Sequence, residues 1–401
     1  MTCDAPAGSF ARSVLFAHDG PVHIAPDGVP RGVHYTQALI RRYLMLGNRV
    51  TFMTRMVPIR QALAEAYSPL RHESFRFAPV PNVKTVRGML RERRRAMRTI
   101  REEVSRCDVL VARLPSTIGR WAWGEAMRQK KPVLVEFMAC TWDALWYNSL
   151  KAKLLAPYFL FKNRRLMRRA SHALYVTDSF LQKRYPTAGK SIGCSNVIVE
   201  GASDLTLQGR IARIASYGTG RKIVLATIAG VDVPYKNQVA VLRALKRMGS
   251  DRQRFLYRII GPGNPAGLMA AAKRLGVADH VEFVGALRHA EIPGILDGTD
   301  IYVQPSHTEG LPRALIEAMS RGCAALGSRR GGIPELLEEQ YLFEPDDAEG
   351  LAKLLLQWEP ATLERVAWQN TAAATRFTSD VLEARRAVFY GEFLADHGLA
   401  A

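Results

Sequence analysis

The sequence is poor in cysteine, and its cysteines are not paired in any recognisable pattern. Five occur in 401 residues, an odd number, and no two are spaced as C-x-x-C. This pattern excludes a disulfide framework and a structural zinc site of the usual spacing, and it favours a reducing compartment. The cysteines are Cys3, Cys107, Cys140, Cys194 and Cys323.

Long apolar runs are also lacking. No stretch reaches the roughly 18 uninterrupted apolar residues of a membrane span. The first twenty residues include Asp4, Pro6, Arg12 and Asp19 and do not resemble a signal peptide. We therefore expect a cytoplasmic protein, either soluble or peripheral at the inner face of the cell membrane.

Acidic residues are scarce in the N-terminal half. Residues 1–205 carry 33 Lys/Arg and 15 Asp/Glu, whereas residues 206–401 carry 23 and 22. The net charge of +19 therefore belongs almost entirely to the first half. This asymmetry indicates two domains with different partners, the first of which meets something anionic.

Apolar runs separated by helix-length segments occur in two series. Both series predict parallel sheets, and the chain is long enough for two cores. The fold class predicted is α/β, with two tandem doubly wound, Rossmann-like domains at 1–205 and 206–377 and a ligand cleft between them. A final helix from Ser379 to about Leu394, in a segment 378–401, is expected to return to the first domain. The predicted strands are Ser13–Ala17, Arg49–Met53, Val109–Ala112, Pro132–Glu136, Ala173–Thr177, Lys222–Ile228, Phe255–Ile260, Val281–Val284, Ile301–Val303 and Ala324–Leu326.

One strand–loop–helix element, residues 301–320, carries two glutamates. Pro312 suits a first helical turn, so a helix is expected to begin near Leu311. The backbone N–H groups of Gly310, Leu311 and Arg313 would then form an anion site suited to a diphosphate. Glu309 precedes this site and Glu317 follows it, and eight residues span roughly 12 Å at the helical rise. Each carboxylate could thus hold hydroxyl groups at one end of a nucleoside-diphosphate sugar.

The same region resembles a known family. Glu309-Gly-Leu-Pro312, Glu317-Ala-Met319, Gly322 and Gly331-Gly-Ile-Pro-Glu335 are similar to the donor-site signature of glycosyltransferase family 4, retaining enzymes of the GT-B fold. The resemblance implies that Glu309 contacts the transferred sugar and Glu317 the ribose. The subgroup it most resembles contains glycosyltransferases of bacterial capsule and exopolysaccharide assembly.

Two further segments agree with this resemblance. In the family an Arg and a Lys after the first donor-domain strand bind the diphosphate. Lys236 matches that Lys, whereas Val231 stands at the position of the Arg, for which the helix N-terminus or Arg313 is the expected substitute. Gly261 and Gly263, after the next strand, resemble the turn beside the nucleotide base. In the N-terminal half, Gly32 of the glycine-bearing loop after the first strand is a further candidate for donor contact.

The chemistry implied is a retaining, metal-independent sugar transfer of the hexosyltransferase type. No Asp-x-Asp pair follows a strand and no His/Cys/carboxylate cluster has metal-ligand spacing. No cofactor is expected apart from the donor substrate, a UDP- or GDP-sugar. Backbone amides and Lys236 would stabilise the departing diphosphate, and its oxygen would take the acceptor proton on the face from which it leaves.

The acceptor side is less defined by the sequence. The candidate polar contact to the sugar or acceptor is Asp143 or Glu136. Trp142 and Trp146 fit either core packing or an acceptor platform. Two basic tracts, Lys84–Arg101 and Lys151–Arg169, suit an anionic membrane surface and a glycan or lipid-diphosphate-linked acceptor, although a solvated helix face is also possible. No nucleic-acid-reading motif accompanies the charge.

Two other functions remain open from the sequence. One is a GT-B relative that epimerises or hydrolyses nucleotide sugars without an acceptor. The other is a non-enzymatic basic scaffold on a membrane, which would retain its salt-sensitive binding after loss of both glutamates.

Overall fold

The computed structural model describes residues 11–32, 35–61, 64, 67–147, 149–216 and 220–400. Within these ranges the chain forms two parallel sheets flanked by helices, one in each half. The predicted α/β class is confirmed.

The N-terminal half is built on a parallel sheet of seven strands with a small antiparallel extension. Its order is β5-β3-β1-β6-β7-β8-β9, and β2 and β4 join antiparallel to the far end of β1. The elements are β1 Ser13–Ile24, β2 Pro30–Gly32, α1 Gln37–Leu44, β3 Arg49–Pro58, β4 Ser68–Pro69, β5 Phe75–Val80, α2 Val86–Arg106, β6 Val109–Leu114, α3 Thr117–Arg128, β7 Val133–Phe137, α4 Thr141–Trp146, α5 Leu150–Met167, β8 His172–Tyr175, α6 Phe180–Arg184 and β9 Lys190–Gly193.

The C-terminal half contains a parallel sheet of six strands in the order β12-β11-β10-β13-β14-β15. The elements are α7 Asp204–Ala215, β10 Ile223–Ile228, α8 Gln238–Arg247, β11 Phe255–Ile260, α9 Ala266–Leu275, β12 Val281–Gly285, α10 Ile292–Asp297, β13 Ile301–Gln304, α11 Arg313–Ser320, β14 Ala324–Ser328, β15 Leu342–Phe343, α12 Ala348–Leu356, α13 Pro360–Ala374 and α14 Ser379–Asp396, with short 3-10 turns between several of them.

Strand β1 is longer than the sequence indicates. It was expected to end at Ala17, but it continues to Ile24 and pairs with β3 along both parts. The register shifts between Ala17 and Pro21. Such an irregularity lets a strand accommodate a proline that cannot donate to the ladder.

The two halves have separate cores, and the chain passes between them before residue 205. Val197 and Val199 already pack in the core of the second half. The last helix, α14, lies against the first half, where Leu382, Phe389 and Phe393 are buried with residues of β1 and α1. Helix α14 thus covers one face of the N-terminal sheet.

The point at which each sheet reverses its winding direction is where a ligand cleft forms in this architecture. In the C-terminal sheet, this point lies between β10 and β13, which pair directly. The loops after these two strands carry Lys236 and Glu309. The topology therefore brings two residues 73 positions apart to one sheet edge.

Candidate donor and acceptor site

Glu309 is the centre of a hydrogen-bonded cluster at the carboxyl end of β13. Its Oε1 accepts hydrogen bonds from Lys236 Nζ at 2.6 Å, Ser306 Oγ at 2.8 Å and Gln304 Nε2 at 3.1 Å. The side chain of Glu309 is only 12% exposed. Three donors therefore fix its orientation before any ligand arrives.

Two of these donors were not assigned a role from the sequence. Gln304 is the last residue of β13, and Tyr302 Oη donates to its side-chain oxygen at 3.0 Å. Ser306 is fully buried. Both residues stand close to Glu309 in the sequence. Only the folded loop shows that their side chains reach the Glu309 carboxylate.

Glu317 lies in a different environment, although it belongs to the same element. Its Oε1 is buried and has no hydrogen-bond partner among the residues that the structure describes. Burial raises the pKa of the Glu317 carboxyl, and the nearby His289 and Arg313 only partly oppose this effect. A buried carboxylate oxygen without a partner costs free energy, so it is suited to accept hydrogen bonds from a ligand.

Glu317 lines a cavity of about 310 Å³ formed by the C-terminal half and the segment that enters it. His289 Nδ1 is 3.9 Å from Glu317 Oε1 across this cavity. The opposite wall includes Ile198 and Glu200 from the segment that joins the two sheets. A ligand bound at Glu317 would therefore lie between α10, α11 and the segment that joins the two sheets.

The helix between the two glutamates begins later than the sequence indicates. Pro312 has an extended backbone (φ −73°, ψ 115°), and α11 starts at Arg313. The prediction of a start near Leu311 is wrong, because a residue before proline is disfavoured in the α region. The separation of roughly 12 Å expected between Glu309 and Glu317 assumed a helical rise along all eight residues. That rise holds only from Arg313 onward.

Gly310 lies at a close approach of the two halves. A Cβ atom at Gly310 would lie 2.7 Å from the carbonyl oxygen of Met138, which follows β7. The neighbouring Leu311 is half-buried and Arg313 is exposed. The loop at 309–312 therefore forms one wall of the cleft, with the N-terminal half as the other.

The glycines after β11 pack against the loop that leads to Lys236. A Cβ at Gly261 (φ +150°) would lie 2.0 Å from the Ala229 carbonyl oxygen, and one at Gly263 (φ +117°) would lie 2.3 Å from Asp232. Val231, at the position of the family's Arg, is buried and donates its N–H to the Pro262 carbonyl at 3.0 Å. Backbone packing alone accounts for both glycines, and their contact with a nucleotide stays a prediction.

Gly32 ends strand β2, where it pairs with Ser68 of β4. A Cβ there would lie 2.4 Å from the Tyr35 carbonyl oxygen. Close backbone packing thus explains the glycine, and its proposed donor contact stays a prediction.

The two acidic candidates of the N-terminal half have different surroundings. Glu136 is 1% exposed and forms a salt bridge with Arg113 at 2.8 Å, while Tyr43 Oη donates to it at 2.9 Å. It is buried against Arg113 and Tyr43, and its contact with a sugar or acceptor stays a prediction. Asp143 lies on α4 and forms a salt bridge with Arg184 at 2.6 Å. A catalytic role for Asp143 stays a prediction.

Comparisons with known proteins bear directly on the half that carries Lys236, Glu309 and Glu317. Residues 215–375 match the family model described as "Glycosyl transferases group 1". This segment is what the chain shares with the group 1 glycosyl transferases. The resemblance identified from the two glutamates is thereby confirmed.

Relatives extend this likeness beyond the glycosyltransferase domain. The chain is 26% identical over 345 residues to "Protein CapJ" of Staphylococcus aureus, covering 85% of each chain. It is 38% identical over 129 residues to the "Amylovoran biosynthesis glycosyltransferase AmsK" of Erwinia amylovora, but this match covers only 30% of this chain and 31% of AmsK.

A solved structure with the same overall architecture is that of HepE from Anabaena in complex with UDP and glucose. The two chains align over 98% of this one and 100% of HepE, with a TM-score of 0.63 and 16% identity. This likeness confirms the GT-B fold.

Aromatic residues form a second pocket between the halves, beside the Glu309 cluster. Tyr147 stacks on His307 across the cleft, with ring centroids 5.1 Å apart and an angle of 14°. Trp146 is 38% exposed and stacks on Trp142 with centroids 5.1 Å apart. The sequence left core packing and an acceptor platform open for these two tryptophans. Trp142 packs partly against the core, whereas Trp146 lines the pocket.

The basic tracts are helices α2 and α5. Helix α5 carries large apolar side chains on its solvent side: Leu150, Leu154, Tyr158 and Phe161 are between 51% and 82% exposed. Their spacing of four, four and three residues places them in one stripe. Within the described residues, no helix is long and apolar enough to cross a membrane.

Proposed function

We propose that the protein is a retaining glycosyltransferase that moves a sugar from a nucleoside-diphosphate sugar to a glycan or lipid-linked acceptor of bacterial surface polysaccharide synthesis. The observation that carries the proposal is the pair of unlike carboxylates on one strand–loop–helix element. Glu309 is held by Lys236, Gln304 and Ser306, whereas Glu317 keeps a buried oxygen without a partner in the described chain.

Each carboxylate has a role that its surroundings support. Glu317 accepts hydrogen bonds from the ribose hydroxyls, which supply the partner its buried oxygen lacks. Lys236 and the N-terminus of α11 hold the diphosphate, because both present positive charge at one edge of the sheet. Glu309 then lies beside the transferred sugar and fixes its hydroxyls.

Departure of the diphosphate is the step that this arrangement assists. As the bond between the sugar and the diphosphate breaks, negative charge grows on the leaving oxygen near Lys236, and a preorganised cation there lowers the barrier. The acceptor hydroxyl attacks from the same face and passes its proton to that oxygen. Charge stabilisation by the protein supports a reaction without a metal ion.

Helix α5 supports a membrane-surface location. Its exposed apolar stripe is flanked by Lys151, Lys162, Arg165 and Arg168. An apolar stripe bordered by cations binds an anionic bilayer through both area and charge. We place the protein at the cytoplasmic face of the membrane, where a lipid-diphosphate-linked acceptor would be met.

The experiment that tests this function is a screen of UDP- and GDP-sugars by thermal shift, followed by product analysis with the donor that binds best. UDP is tried first because HepE, a protein of the same fold, holds it. Donor protection in the wild type and its loss in Glu317→Gln support the proposal. Protection by none of the donors would contradict it, and release of free monosaccharide even with acceptors present would indicate a hydrolase.

A further inference from the structure

Asn237 follows Lys236 in the chain, and its backbone is left-handed, with φ +56° and ψ +34°. Within the described ranges, the one other non-glycine residue with a positive φ is Lys130. Asparagine is among the few residue types with a Cβ atom that adopt this conformation readily. The left-handed residue ends the 3-10 turn Pro234–Lys236 and begins helix α8. It therefore sets the direction in which the chain leaves Lys236.

The side chain of Asn237 joins three loops at the carboxyl edge of the C-terminal sheet. Its Nδ2 donates to the carbonyl oxygens of Pro345 at 2.9 Å and Pro305 at 3.2 Å. Asn237 is 8% exposed, and both prolines are buried. The three residues belong to the loops after β10, β13 and β15. Because an amide NH2 group carries two hydrogens, one side chain can hold both neighbouring loops against the loop of Lys236.

Two hydrogen bonds fasten the loop after β10 to the loop after β13. Asn237 donates to the Pro305 carbonyl oxygen, and the His307 N–H donates to the Tyr235 carbonyl oxygen at 2.8 Å. In each loop, a single residue separates the two residues that form these bonds. The two bonds therefore hold that one residue of each loop from both sides.

The residues held in this way are Lys236 and Ser306, and both donate to the same atom. Lys236 Nζ lies 2.6 Å and Ser306 Oγ 2.8 Å from Oε1 of Glu309. A lysine side chain has a flexible four-carbon stem, and fixing it costs conformational entropy. A fixed backbone on both sides of Lys236 reduces the number of positions that its ammonium group can reach. Asn237 supplies one of the two bonds that fix this backbone.

We infer that Asn237 is a positioning residue of the proposed donor site, which holds the Lys236 ammonium group where the diphosphate binds. Its amide fastens the loop of Lys236 to the loop of Glu309, and its left-handed backbone provides the turn that this loop needs. This inference rests on the proposed function, and in it Asn237 acts through Lys236 without contacting the donor. A ligand that needs a fractionally populated arrangement binds more weakly by that fraction. Loosening this loop should therefore weaken UDP and spare uridine.

Two substitutions separate the backbone of Asn237 from its amide. Asn237→Gly permits the left-handed conformation but removes both hydrogen bonds, whereas Asn237→Ala removes the bonds and also disfavours the conformation. We expect the affinity for UDP, measured by calorimetric titration, to fall about threefold in the glycine variant and about tenfold in the alanine variant. The affinity for uridine should change less than about twofold, because uridine has no phosphate for Lys236 to hold. Unchanged affinity for UDP in both variants would overturn the inference.

Lys130 provides the matched control. It is the other left-handed residue with a side chain, and it is exposed just after α3 in the N-terminal half. Lys130→Gly and Lys130→Ala alter the same backbone geometry away from the donor loops, so the affinity for UDP should stay that of the wild type. Equal losses from the substitutions at 130 and at 237 would overturn the inference, because UDP binding would then respond to backbone strain anywhere in the chain.

A double-mutant cycle with Lys236→Ala tests whether Asn237 acts through the lysine. Once the ammonium group is gone, Asn237→Ala should cause no further loss of affinity for UDP. Losses that add in the double variant would mean a general loosening of the site and would overturn the inference. Urea unfolding shows whether each variant is folded, and if Asn237→Ala is not, the same cycle is run with Asn237→Gly.

Nucleotide binding by the wild type separates this inference from the proposed function. GDP and guanosine replace UDP and uridine if the thermal-shift screen selects a GDP-sugar. A wild type that binds neither diphosphate contradicts the proposed function. A wild type that loses affinity for the diphosphate in Lys236→Ala, but not in either Asn237 variant, contradicts this inference alone.

Discussion

Lys236 Nζ lies 2.6 Å from Oε1 of Glu309, although the two residues come from loops after different strands. The pair exists because β10 and β13 are neighbours in the sheet and their carboxyl ends meet at its edge. In the proposed function, this pair brings the cation for the diphosphate and the carboxylate for the sugar into direct contact. The sugar end of the proposed donor site is thus assembled before any donor binds.

Glu309→Gln should separate sugar recognition from nucleotide binding. We expect the rate of transfer to fall about 100-fold, as on removing one transition-state contact, because the amide cannot hold the sugar hydroxyls as the carboxylate does. UDP carries no sugar, so its affinity should change less than about twofold.

Initial rates with the best donor and calorimetric titration with UDP provide these two values. Glu282→Gln, at an exposed carboxylate of the same domain, is the control. An unchanged rate in Glu309→Gln would remove this residue from the reaction.

Glu317→Gln should stabilise the folded protein while it weakens donor binding. Burial raises the pKa of Glu317 in the folded state, so the ionised form costs stability at any pH above the unfolded value of about 4.3. The variant should gain about 1 kcal/mol of unfolding free energy at pH 7, because a neutral amide avoids that cost. The gain should shrink as the pH falls toward 4, where the carboxyl is protonated in both states.

Urea unfolding at several pH values measures this difference. Glu364→Gln, at an exposed glutamate of α13, should show no such pH-dependent gain. A stability loss in Glu317→Gln at pH 7 would mean that the carboxylate has a structural partner.

Glu335 joins the two halves of the chain. It lies in the 3-10 turn after Gly331-Gly332, and its carboxylate accepts the backbone N–H groups of Asp178 at 2.6 Å, Ser179 at 3.1 Å and Phe180 at 2.5 Å. Glu335→Ala should leave these amides unpaired, at a cost of about 1–3 kcal/mol, and loosen the domain contact.

Hydrogen exchange at residues 178–180 should accelerate in Glu335→Ala and stay unchanged in Glu338→Ala, at a neighbouring exposed glutamate. The rate of sugar transfer should fall while the affinity for UDP is retained, because Glu335 acts by holding the two halves together. Equal exchange rates in the two variants would contradict this role.

Replacing the apolar stripe of α5 should weaken membrane binding. Leu154→Ser with Phe161→Ser removes two exposed side chains without disturbing the core, so we expect vesicle binding to fall about tenfold or more. Flotation with vesicles of phosphatidylglycerol, and with phosphatidylcholine for comparison, measures the effect.

Leu205→Ser, at a residue of α7 in the other half that is 79% exposed, is the matched control. Binding to the anionic vesicles should also decrease with salt. Equal binding of the wild type to the two kinds of vesicle would contradict the membrane proposal. Equal vesicle binding by the α5 variant and the Leu205 variant would also contradict it.

The central strands could be predicted from the sequence because they are buried on both faces. Val109–Leu114 is buried at every position and is apolar except at Arg113, a pattern typical of strands covered on both faces. Edge strands were missed for the opposite reason. Strand β5 contains Pro79 and alternates in burial, and β9 begins with the exposed Lys190 and Ser191. Half-exposed, polar strands leave no comparable pattern.

The candidate donor residues could be proposed from a motif, but their contacts could not. The sequence placed Lys236 and Glu309 in one site without showing that they form a salt bridge. Contacts between the halves, such as Tyr147 with His307, depend on how two domains meet, and no local pattern encodes that. Burial of Glu136 was likewise hidden, since its partner Arg113 lies 23 residues away on a neighbouring strand.

The most direct test of the donor site is a titration of uridine, UMP and UDP against the wild type, Lys236→Ala and Glu317→Gln. Glu317 contacts the ribose in this account, so its loss should weaken all three ligands by a similar factor of about ten. Lys236 contacts the diphosphate, so its loss should leave uridine unchanged and weaken UDP about tenfold or more. If Lys236→Ala weakens uridine as much as UDP, or if Glu317→Gln binds all three as the wild type does, the donor site described here is wrong.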